Sequence, residues 1–227
     1  RQMCIRDRYE MPVLGYTPEH NAYPYNYMIG SEAQRRDAVD YLKLSLEMAK
    51  EMGAEFVLTS PANGGYLATY DQLWSRLEKN IQELGDYAAK LEIKLVVEAL
   101  TPYESNFFTR ANDLVELFRR VDNPYVVGMC DIVPPFVQHE SIMAYFDKLG
   151  NKMDHMHIID GENGSDTHLI PGEGNIPIKE MLYEMKRIGY DKTATLELVT
   201  NYINEPRFYA KRAIDNMREL MAEAGIV

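Results

Sequence analysis

Cysteine is nearly absent: 227 residues carry only Cys4 and Cys130. So small a supply builds no disulfide framework and points to a reducing compartment. No stretch approaches the roughly 18 apolar residues of a membrane-spanning helix. The start, Arg1 to Arg8, has no apolar core of the kind a secretory leader needs. Positive charge is in deficit, with 24 Lys and Arg against 35 Asp and Glu, a net charge of −11. A surface this acidic repels a phosphate backbone, so nucleic acid is an unsuitable partner. No GxGxxG or P-loop pattern is present, and the pair Gly64-Gly65 alone is weak evidence for phosphate binding. These absences lead to the expectation of a cytoplasmic protein with neither a membrane nor a nucleic-acid partner.

What is present is an alternation of short apolar runs and longer amphipathic stretches, in a chain that is 46% hydrophobic and able to bury one sizeable core. The strand-like runs are Pro12–Tyr16, Phe56–Ser60, Lys94–Glu98, Val126–Asp131, Met153–Ile159 and Thr193–Glu197. Helical spacing is expected over Glu32–Met52, Tyr70–Lys90, Ala111–Arg120, Ser141–Leu149, Ile178–Ile188 and Glu205–Ala224. Val39, Leu42, Leu46 and Ala49 show the spacing of three and four, and Gly53 stands where the first helix should stop. Strands alternating with single helices imply a parallel sheet with crossovers. A closed barrel takes eight such units and about 250 residues. Six units therefore fit either an open doubly wound sheet or a barrel short of two units.

Three runs end on a carboxylate, Glu98, Asp131 and Glu197, and a fourth carries His157 within His155-Met-His157. A buried carboxylate is costly unless it is paired or bound to a metal. One strand-end Glu has ordinary explanations, such as an arginine partner. Four polar groups on four successive strands would converge at the C-terminal face of a parallel barrel, where active sites lie. Three carboxylates and an imidazole form a hard oxygen and nitrogen set, suited to Mn²⁺, Mg²⁺, Co²⁺ or Ni²⁺ more than to a thiolate-bound structural zinc. Cys130 alternates to the opposite strand face from Asp131 and reads as packing. His155 shares the face of His157, either as its support or deeper in the interior. Trp74 falls in a helical stretch and reads as packing, while Tyr16, Tyr23, Tyr25 and Tyr27 follow the first run and are placed to wall a site.

The order Glu98, Asp131, His157, Glu197 resembles the xylose-isomerase-like TIM-barrel family of sugar isomerases and epimerases. The phrases Glu98-Ala-Leu-Thr-Pro-Tyr-Glu104, His155-Met-His157-Ile-Ile-Asp160 and Pro171-Gly-Glu-Gly174 carry the resemblance. Longer phrases, among them Gly15-Tyr-Thr-Pro-Glu19, Tyr23-Pro-Tyr-Asn26, Ser165-Asp-Thr-His168 and Asn204-Glu-Pro-Arg-Phe-Tyr209, are similar to a subgroup acting on amine-linked ketoses. The resemblance implies a (β/α)8 barrel and one divalent metal held by Glu98, Asp131, His157 and Glu197. It implies 3-epimerisation of a sugar-amine, fructoselysine to psicoselysine, through an enediolate, with Glu98 and Glu197 moving the C3 proton. Glu104, His168 and Arg207 are the expected substrate contacts. Pro134 stands where free-ketose epimerases of the family carry a histidine, and His168 near where they place an arginine, which argues against a plain ketohexose. The first run here would be the family's third strand. The expectation is therefore of a chain lacking two units, with residues 1–8 non-native sequence at a broken gene end and 9–227 one incomplete barrel.

The alternatives are another ketose or ketose-phosphate isomerase or epimerase of the same fold, or a non-catalytic metal- or sugar-binding barrel. The loop from Ser165 to Gly174 contains no basic cluster for a phosphate. An abasic-site endonuclease of this fold would need more than five histidines and a basic face. Homo-oligomer formation is compatible with the sequence.

Overall fold

The computed structural model of the chain describes residues 8–162 and 164–226. Apart from Arg8, the stretch expected to be non-native lies outside the described residues. Six parallel strands form one sheet in the order β1-β2-β3-β4-β5-β6. They are β1 Gly15–Tyr16, β2 Phe56–Thr59, β3 Lys94–Val97, β4 Val126–Asp131, β5 Met153–Ile158 and β6 Thr193–Leu196. Helices α1 Glu32–Met52, α2 Tyr70–Leu91, α3 Ala111–Arg120, α4 Val133–Val137, α5 Met143–Leu149, α6 Ile178–Ile188 and α7 Pro206–Glu223 lie between or after them.

The strand order never reverses, so it has no switch point of the doubly wound type. Right-handed crossovers that all run the same way put every helix on one face of the sheet. The other face is the concave interior of a half-barrel. Strand alternation sorts the core accordingly. Val57, Leu95, Val97, Val126, Cys130, Met156 and Ile158 pack toward the helices. Phe56, Leu58, Val96, Val127 and Met129 form a separate interior cluster with Leu14. Cys130 is packing, as its strand position implied.

The helices start and stop for local reasons. Ser31 caps α1 and Thr69 caps α2, each in a reciprocal box with the glutamine three residues on. Gly53 ends α1 in the left-handed region at φ 75°. Gly85 lets α2 approach the sheet, because a Cβ there would lie 2.5 Å from Val126 Cγ2. Trp74 packs against Phe107 and Phe108, with the Arg120 guanidinium 4.8 Å above its ring. Gly64 and Gly65 are bridged by the Asn106 side chain.

Two expectations shift. β1 is two residues rather than five, because only Gly15 and Tyr16 align with β2. The helix expected from Ser141 begins at Met143, and α4 precedes it. Pro134 and Pro135 suit a first turn, where a missing N–H costs nothing. No helix among the described residues is long and apolar enough to cross a membrane.

Candidate active site and metal centre

The interior-facing row of each strand runs into a polar residue at its C-terminal end: Val96 to Glu98, Met129 to Asp131, His155 to His157, Thr195 to Glu197. Backbone pairing carries these ends to one level. Asp131 pairs with His157 across β4 and β5, and the Glu98 N–H donates to the Thr59 carbonyl just beyond β3. The four expected ligands meet. Ligand atoms of Glu98, Asp131 and His157 lie within 4.8 Å of one another, as do those of Asp131, His168 and Glu197. His157 Nδ1 is 3.0 Å from Glu197 Oε2 and 3.4 Å from Glu98 Oε1. Neither contact meets hydrogen-bond geometry, so this buried nitrogen has ion-pair neighbours but no hydrogen-bond partner. Carboxylates and an imidazole gathered this closely, but not aimed at each other, have the arrangement of a ligand set. Their hardness and combined negative charge fit a divalent cation.

The charges perturb one another strongly. Burial, then the nearby Glu197 and Glu98 carboxylates, raises Asp131 well above the usual carboxylate range. Burial also opposes ionisation of Glu197, but its contacts with His157 and His168 outweigh that and hold its pKa low. Burial disfavours charge on His157, yet the Glu98 and Glu197 carboxylates outweigh it and raise its pKa well above the ordinary value. His168 is raised to about 11, the penalty of burial being exceeded by its contacts with Asp166 and Glu197.

A supporting shell fixes these groups. Val133 N–H donates to Asp131 Oδ1 at 2.8 Å, which leaves Oδ2 toward the site, 3.8 Å from His168 Nε2. His155 sits deeper in the interior, its ring 4.7 Å from that of Phe56. Its Nδ1 is 2.7 Å from Thr193 Oγ1 and its Nε2 3.0 Å from Thr195 Oγ1. Burial and then the neighbouring His157 charge lower its pKa to about 4, so it is neutral. His155 thereby ties β5 to β6, the strand that carries Glu197.

The loop after β5 is pinned by Asp160, which is 1% exposed. Its Oδ1 accepts from the Gly161 and Ile176 amides at 2.9 and 3.0 Å, and its Oδ2 from Gly172 at 2.9 Å. An antiparallel bridge from Asp160 to Leu169 closes the loop, and His168, at φ 46°, lies beside the candidate ligands Asp131 and Glu197. His168 Nδ1 lies 3.1 Å from Asp166 Oδ1. Thr101 Oγ1 is 3.0 Å from Asp166 Oδ2 and 2.9 Å from Glu104 Oε2. One hydroxyl hydrogen cannot serve two ionised carboxylates at once. Glu104, open to solvent on one side, has its pKa raised chiefly by the part that is buried.

Glu98, Asp131, His157, Glu197, Glu104 and His168 all line one cleft of about 140 Å³. Arg207 is exposed in the first turn of α7 and is not among the lining residues. Thr17, His20 and Asn21 complete the wall from the β1–α1 loop. In that loop the tyrosines had been the expected wall. Tyr27 is buried in the core and Tyr23 is exposed, while Tyr25 stacks on Tyr41 of α1. Only the spatial fold of the loop reveals His20, since nothing in its spacing marks it.

Residues 6–220 match the family model described as xylose isomerase-like TIM barrel. A fructoselysine 3-epimerase of Shigella flexneri is 48% identical over 220 residues, covering 97% of this chain and 80% of that protein. Among solved structures, a D-tagatose 3-epimerase-like protein aligns with TM-score 0.81 at 22% identity, over 99% of this chain and 82% of that one. An L-ribulose 3-epimerase aligns with TM-score 0.82 at 14% identity, over 98% and 80%. At these identities the two structures bear on the fold alone.

Proposed function

The chain belongs to the xylose isomerase-like TIM barrel family, and from that premise we propose that it is a metal-dependent ketose 3-epimerase interconverting fructoselysine and psicoselysine. The observation that carries the proposal is the approach of Glu98 and Glu197, from β3 and β6, to the same nitrogen of His157. Two carboxylates from separate strands reach one point in the cleft. The relative at 48% identity supports the substrate class.

Epimerisation at C3 removes a weakly acidic proton beside the C2 ketone and returns one to the other face. A divalent ion held by Glu98, Asp131, His157 and Glu197 would act as a Lewis acid on the substrate's oxygens. Glu98 and Glu197 serve as the base and acid pair, one addressing each face of C3. The C3 proton leaves to the carboxyl group that is ionised, giving an enediolate, and the other, in its protonated form, gives its proton to the opposite face of the carbon. Asp131 is held by Val133 in an orientation that leaves one oxygen for coordination. Glu104, lining the cleft and hydrogen-bonded to Thr101, holds a substrate hydroxyl. His168 covers the ligands from the loop side and meets a further oxygen of the sugar. Arg207, exposed at the start of α7, is assigned to the lysine carboxylate.

The substitution Glu197→Gln keeps the shape but removes the basic oxygen. Incubated with fructoselysine in D₂O, the variant should lose deuterium incorporation at C3 by about three orders of magnitude or more, in the range of removing an essential acid–base group. Undiminished incorporation would refute the assignment.

A further inference from the structure

His20 lines the cleft with Glu98, Glu104, Asp131 and His157, and it is 5% exposed. Its Nδ1 lies 2.7 Å from the Pro18 carbonyl. A carbonyl only accepts, so Nδ1 carries the ring proton and donates it. In the neutral ring Nε2 is then an acceptor, and this atom is buried with no partner. Burial keeps the ring neutral by lowering its pKa, despite the raising influence of Pro18 and Glu98. The loop that carries it is fixed at several points. Asn21 N–H donates to Glu19 Oε1, Ser60 Oγ to Asn21 Oδ1, and Asn26 Nδ2 to the Asn21 and Asn63 carbonyls. The unpaired nitrogen is therefore held in place ahead of any ligand.

A buried acceptor without a donor is unfavourable, and an apolar side chain would fill the space without that cost. The rest of the wall is also rich in acceptors, since Glu98, Glu104, Asp131 and Glu197 all present carboxylates. A ligand that satisfies such a wall must bring many hydrogen-bond donors, and a polyol does. We propose that His20 is a substrate-binding residue whose Nε2 accepts a hydrogen bond from a hydroxyl of the bound ketose. The inference rests on the epimerase reading and adds to it a specificity contact in the β1–α1 loop.

Two variants and one spectrum test it, all on the metal-loaded full chain with fructoselysine. His20→Leu removes both ring nitrogens, whereas His20→Gln offers a side-chain oxygen near the position of Nε2. His20→Leu should raise KM about ten-fold while kcat falls less than about three-fold, and His20→Gln should recover most of the loss. In the unaltered protein, the long-range ¹H–¹⁵N spectrum should show a neutral ring protonated at Nδ1. The Nε2 resonance should move when fructoselysine saturates the site. A proton on Nε2, an unmoved resonance, or wild-type KM in His20→Leu would each overturn the inference. If leucine prevents folding, the spectrum still decides. Absence of C3 exchange in the unaltered protein would refute the epimerase reading and this inference together. Exchange that is intact, with no response at His20, would refute only the latter.

Discussion

Replacing Asp131 with asparagine should have opposite effects in the absence and presence of metal. Asparagine retains an oxygen for the Val133 amide, so the local backbone is not disturbed. What changes is the other oxygen, which becomes an uncharged NH₂ among carboxylates. Ligand atoms of Glu98 and of Glu197 each lie within 4.8 Å of those of Asp131, and at that spacing a pair of like charges repels by about 3.5 kcal/mol at an effective dielectric near 20. Attraction to His157 and His168 is of similar size, so the two sets largely cancel. The raised pKa of Asp131 gives the sign of the remainder as unfavourable. The native, metal-free protein binds more protons at this site than the unfolded chain does. The penalty is therefore absent at low pH and grows as pH rises from about 4 toward the folded pKa. At neutral pH with a chelator, Asp131→Asn should accordingly be more stable than the unaltered protein. With saturating Mn²⁺ the order should reverse. A ligand present at 1,000 times its Kd stabilises by about 4 kcal/mol, and losing about 100-fold in affinity removes about 2.7 kcal/mol of that. Thermal unfolding followed by circular dichroism, with chelator and with Mn²⁺, reads both effects. An Asp131→Asn protein that is less stable without metal, or that keeps the full metal-induced rise in Tm, would refute the reasoning.

Asp160→Ala should destabilise the chain by about 3–5 kcal/mol, since two amides far along the chain, Gly172 and Ile176, lose a buried charged acceptor. It should also raise KM by releasing the loop that carries His168; urea unfolding and steady-state kinetics measure the two effects. His168→Gln should make the metal-free protein less stable below pH 6.5 and bring it level with the unaltered chain as pH rises through about 11. The raised folded pKa of His168 contributes stability that is complete below the unfolded value and lost above the folded one. Stability curves at several pH values, with chelator present, would show the difference closing with pH.

Much of this architecture was legible in the sequence because the four central strands, β2 to β5, are buried almost throughout. A run such as Val126–Asp131 has no polar interruption until the residue that faces the cleft, so strand and ligand are marked together. β1 was overextended because Pro12 and Val13 are apolar without pairing to β2. The single helix expected over Ser141–Leu149 begins at Met143 and is preceded by α4, which carries Pro134 and Pro135 in its first turn. The four candidate ligands were visible as polar ends of apolar runs. Their supports were not: Thr101 and Asp166 are 65 residues apart, and His155 meets Thr193 across 38. Asp160 was visible as the end of a motif, but its work as an acceptor for three amides depends on a loop that returns to it. His20 was hidden because its role depends on which ring nitrogen Pro18 occupies.

Fructoselysine incubated with the protein in D₂O, and followed by ¹H and ¹³C NMR, tests the central claim most directly. Metal-loaded protein should form psicoselysine with deuterium at C3, and chelation should stop both until a divalent ion is restored. Exchange confined to C1, or turnover at C3 that is indifferent to chelation, would contradict the account.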